Sequence, residues 1–368
     1  MANTLEQPVI RRRRWLTLLA AGVVVFVGEG LFVFHDSLLL AALVLAAGAL
    51  WSTHGRKAWL VALGMAVAGV AWSSIDPHEC SVWWRGRPYY EKLAGHLPYI
   101  TWEEIRHKSL TGCCTFYEAE EEVRAGIKLL AEKQEAGKKL EFYQTQLGPF
   151  WIPAPGKDLL AWLVWELTMQ HDYESRQVVI QPGDTVIDGG AHVGTFTRYA
   201  LAHGAARVIA VEPEPVNIAC LEANLASEIA AGRVTLVKAG IWNEKTYLTL
   251  RDSADNSAGH SFVREVPDSS KLPGLPVLTL DEIVNELRLE RVDFIKMDIE
   301  GAERRALEGA RGTLARFRPR MAISSYHLHD DPDAIPAVVR KAQPAYQIHA
   351  KDYEPGPHRM ITKVLFFQ

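Results

Sequence analysis

Thr185–Thr195 reads TVIDGGAHVGT, and this stretch decides the fold. A short apolar run ends in Asp188, and a glycine-containing turn leads to Gly194. The next residues, TFTRYALAHG at 195–204, have the composition of a helix, while Pro-Gly-Asp at 182–184 marks the entrance of a strand. Strand, tight turn and helix in this order predict a nucleotide-type cofactor site in an α/β fold.

Short β-branched runs and helix-like segments alternate after this stretch. The runs lie at 207–211, 234–238, 292–297 and 321–325. Their alternation with helices predicts a mostly parallel, doubly wound α/β sheet, closed by an antiparallel pair from 346–350 and 360–367. An added hairpin is expected from 247–251 and 260–266.

Acidic residues end three of the predicted strands, namely Asp188, Glu212 and Asp298. The carboxyl ends of parallel strands meet at one edge of such a sheet, where ligands bind. Glu212 lies 22 residues after Gly190, about where a carboxylate accepts hydrogen bonds from ribose hydroxyls. The sequence therefore predicts a site for an adenosine-type cofactor at this edge.

The turn distinguishes between two such cofactors. A dinucleotide site has the pattern G-x-G-x-x-G, but here Ala191 replaces the middle glycine between Gly189 and Gly194. Asp188 would repel a pyrophosphate and would favour the cationic sulfonium and amino groups of S-adenosyl-L-methionine (AdoMet). AdoMet is the expected cofactor, and an NAD-dependent oxidoreductase is the alternative.

The amino-terminal region predicts a membrane anchor within residues 1–74. Arg11–Arg14 precede an apolar run whose 20 residues span about 30 Å as a helix, enough to cross a bilayer. The apolar runs lie at 15–34, 38–51 and 59–72. We expect two or three hydrophobic helices; a secretory signal peptide and the core helices of a soluble domain are the alternatives.

The remaining organisation follows from charge and composition. Basic residues at 11–14 and 56–57 favour the cytoplasmic side, so we expect a membrane protein whose catalytic domain faces the cytoplasm. Residues 75–140 are expected to form a helical connector, with a charged helix at 118–141, and residues 141–368 the catalytic domain. The net charge of −4 does not favour nucleic-acid binding. The four cysteines do not favour a disulfide framework. The oligomeric state stays open.

Several spaced motifs resemble the FkbM family of AdoMet-dependent methyltransferases. They are DGGAHVG at 188–194, VEPEPVN at 211–217, LTLDEI at 278–283 and DFIKMDIEGAE at 293–303. The resemblance covers roughly residues 140–330 and implies the seven-stranded, Rossmann-like class I methyltransferase fold. It also implies methylation of hydroxyl oxygens on sugars, glycans or natural products. His192 stands where many members have Asn, which leaves its role open.

The resemblance also implies roles for individual residues. Those expected around the methionine part of AdoMet are Asp188, Gly190, His192, Gly194 and Thr195. Glu212 is expected to hold the ribose with Asn217 near it, and Trp242 to border the adenine together with residues 239–241. Asp298 is expected to face the transferred methyl group.

Methyl transfer to a hydroxyl requires alignment of the two reactants and removal of a proton. The candidate bases are Asp298, Glu300 and His327, and no metal ligands are assigned, although the same three residues could instead hold a divalent cation. We expect an O-methyltransferase for a small-molecule, saccharide or glycolipid acceptor at the membrane. A catalytically inactive AdoMet-fold interaction module tethered to the membrane is a further alternative.

Overall fold

The structure, a computed structural model, describes residues 82–111, 115–135, 137–250, 257–262, 274–355 and 360–368. The chain divides into two compact units, Met1–Arg87 and Pro88–Gln368. The second unit carries the candidate site and is described by itself below.

The strands in chain order are β1 Lys128–Glu135, β2 Lys138–Thr145, β3 Gly148–Pro153, β4 Thr185–Gly189, β5 Arg207–Val211, β6 Val234–Val237, β7 Gly240–Ile241, β8 Thr246–Thr249, β9 Gly274–Leu278, β10 Phe294–Met297, β11 Arg320–Ser324, β12 Ile348–Ala350, β13 Tyr353–Pro355, β14 Met360–Thr362 and β15 Val364–Phe367. The α-helices are α1 Val82–Leu93, α2 Trp102–Thr111, α3 Thr115–Gly126, α4 Lys157–Trp165, α5 Thr195–Ala202, α6 Pro215–Asn224, α7 Ala226–Ala230, α8 Leu280–Glu286, α9 Glu303–Glu308, α10 Arg311–Phe317 and α11 Asp331–Ala342. A π-helix, Glu166–Gln170, continues α4.

A seven-stranded sheet forms the centre of this unit, in the order β12-β15-β11-β10-β4-β5-β6. The five strands from β6 to β11 pair in parallel, whereas β15 is antiparallel to both of its neighbours, so the sheet is mixed. Helices connect the parallel strands, as the alternation in the sequence predicts. The carboxyl ends of β4, β5 and β10 consequently lie side by side at one edge.

The central strands are buried on both faces, and their mostly apolar residues show no alternation, with Asp188 and Lys296 as buried charged exceptions. Every residue of β4 and of β10 is buried. Phe294 pairs in register with Val186, and both pack in a core cluster that includes Phe196 of α5. Burying a large apolar side chain stabilises the fold by about 1.5–3 kcal/mol. The centre of the sheet is therefore a rigid support for the loops at its carboxyl edge.

A second, three-stranded antiparallel sheet formed by β1, β2 and β3 precedes the central sheet. The expectation of a helix over 118–141 is wrong beyond Gly126, where α3 ends. The high charge of this segment matches exposed strand positions as well as it matches a solvated helix. Gly137, with a φ of +77°, lies in the turn between β1 and β2. The expected boundary between the connector and the catalytic domain, at residue 141, lies inside β2 and would therefore divide this sheet.

The small sheet packs on the cofactor-side helix α6. The side chain of Asn224 accepts a hydrogen bond from the Trp151 backbone N–H at 2.6 Å and donates to the Trp151 carbonyl at 2.9 Å. The same side-chain amide donates to the carbonyl of Val193 at 2.9 Å. Strand β3 is thereby tied to the glycine-containing turn after β4.

The hairpin expected from 247–251 and 260–266 stays a prediction, because its second strand lies largely outside the described residues. Strand β8 pairs antiparallel with β9, and β9 pairs in parallel with β7. Thr279 caps the helix that follows β9 in a capping box with Glu282. Most of 260–266 lies outside the described residues.

The membrane predictions are corrected as well. No helix within the described residues is long and apolar enough to cross a bilayer. The three apolar runs at 15–34, 38–51 and 59–72 lie outside those residues. The fold class is therefore corrected to a methyltransferase-like fold with a mixed sheet, and transmembrane helices are no longer part of it. The membrane localisation, which was inferred from those helices, is withdrawn.

Candidate functional site

A cavity opens at the carboxyl edge of β4, β5 and β10. Its floor is formed by the turn after β4, and one wall is formed by α4 and the π-helix. The described residues that line it include Leu159, Trp162, Leu163, Glu166, Tyr173, Gly190, His192, Thr195, Glu212, Asn217, Gly240, Ile241, Ser257, His260, Phe262, Lys296, Asp298, Glu300 and Tyr326. Many of the residues predicted from the sequence thus face one cavity, namely Gly190, His192, Thr195, Glu212, Asn217, Asp298, Glu300 and residues 239–241.

The turn after β4 requires glycine at Gly190. Its φ is +74°, a conformation that L side chains rarely adopt, and a Cβ there would lie 1.9 Å from the carbonyl oxygen of Asp298. The backbone N–H groups of Gly190 and Ala191 both donate to the carbonyl of Val211 at 3.1 Å. The turn is thereby clamped between the ends of β5 and β10. Gly194, with a φ of +90°, precedes the first residue of α5 and packs against Leu225 rather than lining the cavity.

Asp188 does not reach the cavity. It is fully buried, its Oδ2 accepts a hydrogen bond from Thr197 at 2.7 Å, and its Oδ1 lies 3.3 Å from Lys296 Nζ. Burial raises the pKa of Asp188, although Lys296 and Thr197 act in the opposite direction. Asp188 therefore has a structural partner, and the sequence argument that its charge faces the cofactor loses its basis.

Lys296 connects this ion pair to the turn. The ammonium group donates to the carbonyl of Gly190 at 2.9 Å and to that of Gly189 at 3.3 Å. Burial acts to lower the pKa of Lys296, but Asp188 and Asp298 raise it overall. Lys296 is buried in its strand, and it holds the turn by charge-assisted hydrogen bonds.

Glu212 lies at the cavity with both carboxylate oxygens turned to backbone donors. Oε2 accepts from the His192 N–H at 2.9 Å, and Oε1 accepts from the Glu214 N–H at 3.0 Å. The side-chain amide of Asn217 donates to Oε1 at 3.4 Å. Burial raises the pKa of Glu212 to about 7 despite these donors. The carboxylate is held in place and has few charged neighbours.

His192 occupies a left-handed conformation, with a φ of +50°, next to Glu212. Its Nε2 lies 2.8 Å from the Ser257 hydroxyl, while its Nδ1 is buried and has no hydrogen-bond partner among the described residues. Burial, with the neighbouring charges of His260 and Lys296, lowers the pKa of His192 to about 3. The imidazole is therefore neutral, and one of its nitrogens is available to a ligand.

Asp298 is held by two tyrosines that the sequence analysis missed. Tyr173 Oη donates to Oδ2 at 2.6 Å, and Tyr326 Oη lies 3.5 Å from Oδ1. Burial acts to raise the pKa of Asp298, but His327 and Lys296 lower it overall. Asp298 is therefore an ionised carboxylate. Tyr173 lies in no motif, whereas Tyr326 is next to His327 after β11 and could have been found from that position.

His327 lies beneath the cavity among carboxylates. Its Nε2 is 3.4 Å from Asp298 Oδ1 and 3.5 Å from Glu300 Oε1, and its Nδ1 is 3.1 Å from Glu303 Oε1. Burial acts to lower the pKa of His327, but the carboxylates, Glu303 foremost, raise it to about 11. A protonated imidazole cannot accept a proton, so His327 is unsuited to the role of a general base near neutral pH.

Trp242 does not line the cavity. Its backbone N–H donates to the carbonyl of Leu278 at 2.8 Å, which joins β7 to β9. Its neighbours Gly240 and Ile241 line the cavity instead. Of the segment 239–242 named in the sequence analysis, the first three residues line the cavity and Trp242 does not.

Acids outnumber cations at the cavity. The described lining residues include four acids and one lysine, the acids being Glu166, Glu212, Asp298 and Glu300. Burial and the charge of Asp172 hold the pKa of Glu166 well above its usual value, although Lys363 acts to lower it. With the pKa of Glu166 held high and that of Glu212 raised to about 7, the ionised Asp298 is the acid of this lining that disfavours a pyrophosphate most clearly.

Comparison with known proteins agrees with this arrangement. Residues 188–348 match the family model described as Methyltransferase FkbM domain. The chain is 28% identical over 201 residues to the 31-O-demethyl-FK506 methyltransferase FkbM of Streptomyces tacrolimicus, covering 47% of this chain and 76% of that protein. It is 24% identical over 173 residues to the methyltransferase sdnD of Sordaria araneosa, covering 39% and 66%.

Among solved structures, the chain is similar to the methyltransferase FkbM of Methylobacillus flagellatus KT. The sequences are 21% identical, the TM-score is 0.40, and the match covers 69% of this chain and 59% of that one. The chain therefore covers less than two thirds of that protein.

Proposed function

We propose that this chain is a methyltransferase of the FkbM family, whose model residues 188–348 match, and that it transfers a methyl group from AdoMet to a hydroxyl oxygen. The proposed reaction site is the cavity at the edge of β4, β5 and β10. The observation that carries this proposal is the set of side chains around Glu212.

That set fits the adenosine part of AdoMet. Glu212 presents two carboxylate oxygens, which can accept hydrogen bonds from both ribose hydroxyls. His192 Nδ1 and Asn217 Oδ1 are buried and have no hydrogen-bond partner among the described residues. A buried polar atom without a partner costs free energy, about 1–3 kcal/mol, which a ligand donor or acceptor would recover. These three residues would hold the cofactor, with Gly240 and Ile241 lining the same cavity.

The charge of the cavity supports AdoMet over a dinucleotide. When bound, AdoMet supplies an electrophilic methyl group on a cationic sulfonium. The carboxylates of Glu212, Asp298 and Glu300 favour that positive charge electrostatically. Lys296 does not oppose it strongly, because it is paired with Asp188 at 3.3 Å.

Asp298 is the proposed residue that receives the acceptor's proton. It is ionised, lines the cavity and is oriented by Tyr173 at 2.6 Å. Glu300, on the adjacent turn, would accept a second hydrogen bond from the acceptor. His327, which is protonated, would stabilise these carboxylates rather than act as a base.

The proposed acceptor is a small molecule with hydroxyl groups, and a saccharide is the preferred class. The same cavity also has an apolar and aromatic lining, with Leu159, Leu163 and the half-exposed Trp162. A sugar ring presents C–H groups to an aromatic face and hydroxyls to carboxylates, which suits such a cavity. The name of the Streptomyces relative describes O-methylation of a natural product in that protein.

The test is equilibrium binding of AdoMet to the full chain by calorimetry. We expect saturable binding and a loss of at least roughly tenfold in Glu212→Ala, because one lost charge-assisted hydrogen bond is worth about 1.5–3 kcal/mol. Glu222→Ala is the matched control, since it removes an exposed glutamate from α6, the helix that follows Glu212. Tight binding of NAD without binding of AdoMet would overturn the proposal.

A further inference from the structure

We propose that Asp298, Glu300 and His327 form a binding site for a divalent transition-metal cation such as Mn²⁺ or Zn²⁺. The cation would hold the acceptor's hydroxyl oxygen beside the cofactor. Binding of the cation follows from the geometry alone, whereas its role in holding the acceptor rests on the proposed function. With the cation bound, Asp298 and Glu300 would hold the ion instead of contacting the hydroxyl directly, and the proton that the hydroxyl loses would leave through the open cavity to solvent. The site replaces our expectation from the sequence that these residues work without a metal.

The donor atoms have the spacing of a metal coordination shell. One atom from each of the three residues lies within 4.8 Å of the other two. His327 Nε2 is 3.4 Å from Asp298 Oδ1 and 3.5 Å from Glu300 Oε1. Two ligands that are each about 2.1 Å from an ion and subtend a tetrahedral angle are separated by about 3.4 Å. A cation can therefore be seated between them with small adjustments of the side chains.

The histidine supplies a second, independent observation. The His327 side chain is only 7% exposed, and neither ring nitrogen makes a hydrogen bond with any residue that the structure describes. The imidazole is ion-paired with the surrounding carboxylates at 3.1–3.5 Å without an aligned hydrogen bond, and a metal ion bound at Nε2 would replace the proton that these carboxylates hold there. Its Nε2 points between two carboxylates, at the position that a metal ion would occupy.

The surroundings of His327 resemble the outer shell of a metal site. Its Nδ1 faces Glu303 Oε1 at 3.1 Å, and Glu303 is fully buried. The same oxygen of Glu303 accepts a hydrogen bond from the Ile299 N–H at 2.8 Å, which orients the carboxylate. Metal-bound histidines usually donate their other nitrogen to such a carboxylate, which fixes the ring and makes it a better ligand.

The two carboxylate ligands are also positioned in advance. Tyr173 occupies Oδ2 of Asp298, so Oδ1 is the oxygen turned towards His327. Glu300 adopts a left-handed backbone conformation, with a φ of +57°, and its carbonyl accepts a hydrogen bond from Ser261 at 2.7 Å. These contacts position the two ligands, and the hydrogen bond from Tyr173 leaves Oδ1 of Asp298 facing His327.

Charge and ligand type indicate the class of cation. Three carboxylates, those of Asp298, Glu300 and Glu303, surround one imidazole, so the cluster is short of positive charge. One imidazole with two carboxylates suits Zn²⁺ or Mn²⁺ better than Ca²⁺, which prefers six to eight oxygen ligands. Three protein ligands leave coordination positions open for a hydroxyl, whose pKa the cation would lower.

The test measures Mn²⁺ binding to the metal-stripped full chain by electron paramagnetic resonance, with Zn²⁺ competition and without AdoMet. We expect one saturable site, and at least roughly a tenfold weaker affinity in His327→Gln and Glu303→Gln, the range found when the outer shell of a metal site is changed. His329→Gln is the matched control, because the side chain of His329 is 75% exposed two residues away. If His327→Gln does not fold, Glu300→Gln removes a ligand at the more open cavity wall.

Calorimetry with AdoMet on the same preparations separates this inference from the proposed function. AdoMet binding without saturable Mn²⁺ or Zn²⁺ binding overturns the metal site and leaves the proposed function standing. Metal binding that His327→Gln weakens, without AdoMet binding, overturns the proposed function and supports the site. Metal binding that His327→Gln and Glu300→Gln both leave unchanged places the ion elsewhere and overturns the inference.

Discussion

The Lys296–Asp188 pair provides the sharpest test of how the cofactor turn is held. The two charged groups are 3.3 Å apart, with side chains 6% and 0% exposed. Their attraction is about 5 kcal/mol at an effective dielectric constant of about 20. Lys296→Met would leave a buried carboxylate without a counter-ion and remove donors from the carbonyls of Gly189 and Gly190. We expect it to lower the free energy of unfolding by about 3–5 kcal/mol.

The assay is urea unfolding followed by far-ultraviolet circular dichroism at neutral pH. Lys238→Met is the matched control, because it breaks the exposed Lys238–Glu222 pair, whose side chains are 56% and 47% exposed. Exposed pairs contribute about 0–1 kcal/mol, so the control should be nearly neutral. The double variant Asp188→Asn/Lys296→Met removes both charges, and we expect it to be more stable than Lys296→Met alone.

Two results would refute this reasoning. One is a loss in Lys296→Met no larger than that in Lys238→Met, which would mean that the buried pair is not coupled. The other is a double variant that is no more stable than Lys296→Met, which would mean that the unpaired charge of Asp188 is not the cause. If Lys296→Met does not fold, recovery of folding in the double variant decides the same question.

Two further predictions concern the turn and Glu212. In thermal unfolding, Gly190→Ala should lose about 1–3 kcal/mol more stability than Gly183→Ala. Both glycines have positive φ, but only a Cβ at position 190 would lie against the backbone of Asp298. Equal losses in the two variants would contradict the clamped turn. Burial raises the folded-state pKa of Glu212 to about 7 from 4.5. Its contribution to the free energy of unfolding is therefore fully present at low pH, where the side chain is protonated, and is lost as the pH rises through 7. The stability of the wild type relative to Glu212→Gln should fall by about 2 kcal/mol between pH 5 and pH 8; an unchanged difference would mean that Glu212 is not desolvated.

Much of the central sheet was predictable, because its signals are local. Asp188, Glu212 and Asp298 each follow a short apolar run, and the parallel alternation brings those three strand ends to one edge. Gly190 was identifiable for the same reason, since a tight turn between strand and helix needs a residue that tolerates positive φ. Local pattern also led to errors, as at 118–141, where charge cannot separate an exposed strand from an exposed helix.

Contacts between distant residues were not predictable in this way. Tyr173 binds Asp298, which is 125 residues away in the sequence. Asn224 joins β3 to the turn after β4 by binding Trp151, which is 73 residues away in the sequence. Neither contact leaves a pattern in its own stretch of sequence. The small sheet that covers the cofactor side is likewise a product of packing, as its strands are half exposed.

By itself, then, the sequence determined which elements form and which acids lie at the ends of the strands. Tertiary structure decided what each acid does, because the charge state of a buried group depends on neighbours brought from elsewhere. Lys296 neutralises Asp188 and removes it from the cavity, whereas Glu212 is left with backbone donors alongside Asn217 and faces it. Among carboxylates, His327 is held as a cation rather than a base.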